Sequence, residues 1–168
     1  MKTRKLTTMA LLTAVALIIF VIEAQIPPVV PITGVKLGLS NIITVFAVWM
    51  LGAKEAAAIL FVRIFLGAVF AGNFSTVFYS LGGGALALLT TVGLRRVLSR
   101  EQLWIAGCLG AIAHSVGQMV VAVWISETVT LLVYLPIMIV CSIFTGSFTG
   151  LCAQILVGRD KLWKTIFK

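Results

Sequence analysis

The sequence predicts an all-α membrane protein, a single domain over residues 1–168 that forms a bundle of six transmembrane helices. Hydrophobic residues make up 61% of the chain and charged residues only 11%, with a mean hydropathy of +1.16. Soluble proteins carry about 25% charged residues, and a soluble domain could not bury so much apolar surface. The lysines and arginines lie mostly in short connections between long apolar runs, so membrane topology explains the net charge of +8 better than nucleic-acid binding.

The first predicted helix resembles a signal peptide, because basic residues precede an apolar run. No A-x-A cleavage site follows it, so we expect it to remain as a membrane span. About 20 helical residues cover a hydrocarbon core of about 30 Å. Pro27, Pro28 and Pro31 then end the helix. The six helices are predicted at residues 6–26, 37–51, 56–71, 75–98, 102–125 and 129–157.

The later helices are bounded by turn and capping residues. The second helix is short for a full span, and a tight turn at residues 52–55 separates it from the third, which Gly72 closes. Ser75 is the predicted N-cap of the fourth helix. In the sixth, Pro136 lies near the start or marks a kink. We expect the basic tail, residues 159–168, to lie at the membrane surface.

The distribution of basic residues predicts the orientation. Six spans place both termini on one side of the membrane, and eleven of the thirteen lysines and arginines then lie on that side. Lys36 alone lies on the other side, and Arg63 stays within the membrane. Both termini are therefore expected to face the cytoplasm.

Arg63 is the first candidate for a binding residue. Large apolar residues flank it, and both membrane ends lie about 10 Å or more away at the helical rise. A cation there requires a solute or a structural partner, such as Glu23 or carbonyls freed at a break in a neighbouring helix. The other candidates for binding a solute are Lys36, Asn41, Asn73, Tyr79, His114 and Gln118.

Most of these candidates also have a structural explanation. His114 and Gln118 are four residues apart on one helix face and could hydrogen-bond across helices instead of to a ligand. Phe74, Phe78 and Tyr79 could stack on a planar ligand or form an aromatic belt. Four polar residues are predicted at or near external helix ends, where their side chains can reach water without any binding role: Glu23, Lys36, Asn73 and Glu127.

Small residues on two helices could allow close approach by another helix. Ala10 and Ala14 share one face of the first helix. The sixth helix has a longer face of this kind, made by Ser142, Gly146 and Gly150. Either face could pack helices within this protein or dock another subunit. Three consecutive glycines in the fourth helix predict a hinge or close packing.

The motifs of enzymes are missing from the sequence. It contains no G-x-x-x-x-G-K-[ST] stretch for ATP hydrolysis and no Ser/His/Asp set in plausible order. Its single aspartate excludes an Asp-rich magnesium site for diphosphate chemistry. The three cysteines lie in apolar runs without metal-binding spacing and are expected to pack. We therefore expect no catalysis, no cofactor and no metal site.

Three segments resemble a known family. They are Gly34-Val-Lys36-Leu-Gly-Leu-Ser-Asn41, the helix with Arg63, and Tyr79-Ser80-Leu-Gly82-Gly83. They are similar to bacterial membrane proteins called Gx transporters, often labelled heptaprenyl diphosphate synthase component I, over about residues 6 to 157. That family resembles the substrate-binding S components of energy-coupling factor (ECF) transporters. The Ala10-x-x-x-Ala14 pair is similar to the motif through which S components contact their coupling subunit.

The resemblance implies a solute-binding subunit of the bacterial cytoplasmic membrane, in contact with lipid and without a nucleic-acid partner. Its solute would be small and anionic, or related to isoprenoids or quinones. The implied partners are a transmembrane coupling subunit, docked at Ala10 and Ala14, and two ATPase subunits. The family label implies an alternative, a non-catalytic membrane accessory of heptaprenyl diphosphate synthesis or of a membrane redox system.

Overall fold

The protein is an all-α bundle, as predicted. The computed structural model describes residues 2–25, 36 and 38–159, and the regular structure in these residues is entirely helical. The described residues form six α-helices and two 3₁₀ segments, Arg100–Gln102 and Val129–Tyr134. The helices are α1 (Lys2–Glu23), α2 (Asn41–Met50), α3 (Ala53–Ala71), α4 (Ser75–Leu94), α5 (Leu103–Ser126) and α6 (Leu135–Gly158).

Several helix boundaries differ from the predicted ones. Helix α1 begins four residues earlier, at Lys2, and ends at Glu23; the prolines predicted to end it, and the basic tail from residue 160, lie outside the described residues. Helix α2 begins at Asn41 rather than at residue 37, because Gly38 has a φ of 79° that no right-handed helix accommodates. Pro136 lies in the first turn of α6, so it starts the helix and does not kink it.

The start of α4 is also capped differently from the prediction. Ser75 is the first helical residue and not the N-cap. Its backbone N–H donates to Oδ1 of Asn73 over 3.0 Å, so the preceding asparagine does the capping. Gly72 ends α3 in the left-handed conformation, at a φ of 63°, as predicted for a closing glycine.

Helix α2 lies inside the bundle. Eight of its ten residues are buried, and it contacts all five other helices. At the helical rise it is about 15 Å long, which is half of a hydrocarbon core. Its apolar residues form the main core with Ala16 of α1, Leu103 of α5 and Val157 of α6. The other helices therefore surround a short central helix.

The outer surface of the bundle suits lipid. Four helical stretches, Thr3–Glu23, Ser75–Leu94, Arg100–Ser126 and Val129–Gly158, are long and apolar enough to cross a membrane. Large apolar side chains such as Phe70, Phe144 and Phe148 lie exposed on the outside. In water such a surface would be an aggregation site, whereas acyl chains solvate it. The chain is therefore a membrane protein.

Glycines bring α4, α5 and α6 into backbone contact. A Cβ added at Gly146 would lie 2.7 Å from the carbonyl oxygen of Gly107, and one at Gly150 would lie 2.7 Å from Cα of Trp104. On the other side of α5, a Cβ at Gly82 would lie 2.9 Å from the carbonyl oxygen of Gly117. The small-residue face of α6 is therefore internal packing and not a docking face. The glycines of α4 serve close packing.

Polar contacts gather several helix ends at one end of the bundle. Lys5 near the start of α1 pairs with Glu55 in the first turn of α3. Arg95, just after α4, donates to the carbonyl oxygen of Val48 in the last turns of α2 over 2.6 Å. This end carries basic residues that the sequence assigned to one side of the membrane.

Candidate functional site

A group of buried polar side chains lies away from the Lys5–Glu55 end of the bundle. They come from the last residue of α1, the turn before α2, the first residue of α2, and the middle of α3 and α5. Except for Lys36, which is half-buried, each is at most 4% exposed. We call this group the polar cluster, and its members are Glu23, Lys36, Ser40, Asn41, Arg63, His114 and Gln118.

Arg63 projects from the middle of α3 into the polar cluster. Its side chain is 3% exposed, and Nη1 donates to Oγ of Ser40 over 2.7 Å. Its other terminal nitrogen, Nη2, has no hydrogen-bond partner among the described residues. Among the described residues, Arg63 and Glu23 are too far apart to form an ion pair. The guanidinium therefore retains unused donor capacity inside the protein.

Glu23 and Gln118 hold the backbone that leads into α2. The Gly38 N–H donates to Oε1 of Glu23 over 2.5 Å, and the Lys36 N–H donates to Oε1 of Gln118 over 3.2 Å. Glu23 is 4% exposed, so it does not reach water at a helix end as its position near the end of α1 suggested. Sequence reasoning named Glu23 as a possible partner of Arg63 but not as a binding residue, although a carboxylate in an apolar helix is itself a signal.

The ammonium group of Lys36 lies over an aromatic ring. Its Nζ is 3.5 Å from the ring centroid of Phe20 on α1, which is a cation–π contact. Burial lowers the pKa of Lys36 from its ordinary value, while the Glu23 carboxylate raises it and Arg63 lowers it again. Lys36 is thus a partly desolvated cation held beside Glu23.

Glycines before α2 and within α4 make room for His114. A Cβ at Gly38 would lie 2.8 Å from Cδ2 of His114 and equally close to Nδ2 of Asn41. A Cβ at Gly83 would lie 2.8 Å from Nδ1 of His114. Both side-chain polar atoms of Asn41 are buried without hydrogen-bond partners among the described residues. Gly38, Gly83 and Ser40 are further site residues whose roles depend on tertiary contacts.

Two predicted site residues have other contacts. Asn73 is occupied with the start of α4, where it accepts the Ser75 N–H. Tyr79 is 6% exposed and packs in a second apolar cluster with Met119 and Met138. The structure thus brings together Lys36, Asn41, Arg63, His114 and Gln118 of the predicted set, and no described contact joins Asn73 or Tyr79 to the polar cluster.

Ala10 and Ala14 are exposed on the outer face of α1. The same face carries Leu11 and Ile18, which are 64% and 59% exposed, while Ala16 on the opposite face is buried in the core. In the described chain, therefore, this alanine pair packs no neighbouring helix, in contrast to the glycine face of α6.

The chemistry of the polar cluster is that of binding. It offers two cations, one carboxylate, amide groups and an imidazole, and the described residues contain no group of three His, Cys, Asp or Glu placed to hold a metal ion. Buried donors with unused capacity are suited to hold an anionic or strongly polar group.

The fold and the polar cluster define a class, an all-helical membrane protein with a buried polar site inside its bundle. Comparison with known families matches residues 12–156 to the family described as heptaprenyl diphosphate synthase component I. The chain belongs to this family, whose name implies that a component I has at least one partner component. Neither a curated protein nor a solved structure matches the chain.

Proposed function

We propose that this protein is a non-catalytic membrane subunit that binds a small anionic solute in the polar cluster and works with a partner subunit. The family name supports the partner, which would be another component of heptaprenyl diphosphate synthesis. A role in binding rather than catalysis fits a cluster in which the Ser40 hydroxyl accepts from Arg63 and the Glu23 carboxylate accepts from Gly38, and no described hydrogen bond joins either of them to His114.

The observation that carries this proposal is the set of unpartnered polar atoms in the polar cluster. Nη2 of Arg63 and both side-chain polar atoms of Asn41 are buried with no hydrogen-bond partner among the described residues. Leaving a buried polar group unsatisfied costs about 1–3 kcal/mol, and more for a charged group. A bound anion would satisfy donors that the described residues leave free.

Arg63→Gln tests the binding role. We expect the ligand-free protein to keep or gain thermal stability, because the variant removes a buried cation that has an unpartnered terminal nitrogen. Affinity for simple organic anions such as butyl sulfate and butyl phosphate should fall about tenfold or more, equivalent to about 1.4 kcal/mol. Arg63→Lys should restore part of it, since lysine keeps the charge but loses the planar fork. The measurement is thermal unfolding in non-ionic detergent with and without each anion.

Arg95→Gln is the matched control. Arg95 makes a structural contact with the Val48 carbonyl at the other end of the bundle, so this variant should lose stability and keep its anion affinity. If Arg63→Gln instead melts lower without ligand and keeps the wild-type affinity, Arg63 is structural and the binding function is wrong. Mass spectrometry of molecules retained through purification would identify the natural solute.

A second candidate function is the S component of an ECF-type transporter. The observation that favours it is the exposed Ala10 and Ala14 pair on α1, which offers another helix a close approach. The two functions share the binding site and differ in the partner. Purification with native partners separates them, because a coupling subunit and ATPases indicate transport, whereas a soluble synthase component indicates the accessory role.

A further inference from the structure

We infer that Glu23 sets the charge of the ligand, so that the polar cluster accepts an anion with a single negative charge. This inference rests on the proposed binding function and adds a ligand class to it. Glu23 and Arg63 are the two charged side chains that are buried in the described part of the chain. With half-buried Lys36 they form a group of two cations and one carboxylate, which leaves an excess of one positive charge.

The carboxylate of Glu23 is built into the site. It accepts the N–H of Gly38, two residues before Ser40, and Ser40 in turn accepts from Arg63. Lys36 supplies the second cation close to Glu23. Its backbone N–H donates to Gln118, which fixes its position. The N–H bond and the neighbouring cations offset the cost of burying a carboxylate. Glu23 is therefore placed to reduce the positive charge that a ligand meets.

The other charged groups do not alter this balance. Lys5, Glu55 and Arg95 lie at the opposite end of the bundle, and Glu127 is exposed after α5. The α2 N-terminus begins at the polar cluster, but its first backbone N–H groups are already bonded to carbonyl oxygens of residues 38–40. A bound anion would therefore be neutralised by side chains and not by a helix terminus.

The match between the charge of the ligand and the charge of the site has a large effect on affinity here, because any excess charge left in a buried site is poorly solvated. A monoanion such as a carboxylate or a sulfate ester neutralises the excess positive charge. A phosphate monoester or a diphosphate carries more charge and would leave buried negative charge uncompensated. The preferred solute is thus a monoanion, which excludes a prenyl diphosphate as the best ligand of this site.

Butyl sulfate and butyl phosphate test this inference because they have similar shapes and different charges. At about pH 8 the sulfate carries one charge, and the phosphate, with a second pKa of about 6, carries close to two. Wild-type protein should bind the sulfate more tightly. In Glu23→Gln the amide oxygen can still accept the Gly38 N–H, but the negative charge is gone. The ratio of phosphate to sulfate affinity should then rise about tenfold or more, equivalent to about 1.4 kcal/mol.

Glu55→Gln is the matched control, because it removes an acid at the opposite end of the bundle and should leave the ratio unchanged. Lys36→Met provides an independent variant if Glu23→Gln fails to fold. It removes one cation, and it should weaken both esters and the phosphate more than the sulfate. Wild-type preference for the phosphate, or a ratio unchanged in both variants, would overturn the assignment of Glu23 while leaving anion binding intact. If neither ester binds wild type at all, the binding function itself is wrong.

Discussion

Lys36 shows how one side chain can couple ligand binding to pH. Its pKa is lowered by burial, with Glu23 opposing and Arg63 adding to that shift. An unfolded lysine titrates at about 10.4, so in an alkaline window below that value the folded chain holds fewer protons than the unfolded chain. The free energy of unfolding should therefore rise with pH in this window. The affinity for an anion should fall over the same window, because Lys36 loses its positive charge when it deprotonates.

We predict that the affinity of wild-type protein for butyl sulfate falls at alkaline pH, at a lower pH than the value of about 10.4 at which an ordinary lysine titrates. Lys36→Arg should bind with little pH dependence, since a guanidinium does not deprotonate there. Lys36→Met should bind weakly at every pH. A titration of affinity against pH for the three proteins is the measurement. A falling affinity in Lys36→Met that matches wild type would assign the pH dependence to another group.

Residue by residue, the sequence identified part of the polar cluster. Arg63 was identifiable because a cation amid large apolar residues requires an explanation. Glu23 was assigned to a helix end, where exposure to water is the ordinary expectation, and the structure buries it instead. Ser40, Gly38 and Gly83 join the site only through contacts between distant segments. No local pattern encodes such contacts, so sequence reasoning could not place these residues.

At the scale of helices, burial separates two small-residue faces that look alike in sequence. The face of α6 meets the backbone of α5, and the hydroxyls of Ser142 and Ser115 hydrogen-bond over 2.6 Å between the two helices. The face of α1 with Ala10 and Ala14 contacts no other described helix and lies exposed. Spacing alone predicts that a helix can approach, whereas the fold determines whether this protein supplies that helix.

We predict that replacing Ala10 and Ala14 together by Leu leaves folding and anion binding intact but separates the protein from its partner subunit. Bulky side chains would keep a partner helix from approaching closely. Ala85→Leu is the control, because Ala85 is an exposed alanine on α4. The measurement is the yield of the partner that co-purifies with each variant, alongside its melting temperature. Normal partner yield with the double variant would show that α1 is not the docking face.

At the scale of the whole molecule, the predicted bundle was largely correct because apolar runs and glycine turns are local signals. The main difference concerns α2, which was predicted to be short but starts later than predicted and lies inside the bundle. Its ten residues are almost entirely buried and cannot cross a membrane by themselves, and its late start follows from the turn at Gly38. The described contacts still alternate along the chain, with the start of α3 beside the start of α1 and the end of α4 beside the end of α2.

That alternation predicts the membrane topology. Reporters fused after Glu55, Arg100 and Lys168 should be cytoplasmic, and reporters after Pro31, Asn73 and Glu127 external, since eleven basic residues belong to the first side. Glu55 is the most informative position, because its reporter shows whether the chain crosses the membrane between the end of α1 and the start of α3. The Lys5–Glu55 ion pair requires Glu55 to share the side of the N-terminus. An external reporter at Glu55 or Lys168 would contradict the six-span arrangement, whereas the expected pattern would place the Glu23 end of the polar cluster toward the outside.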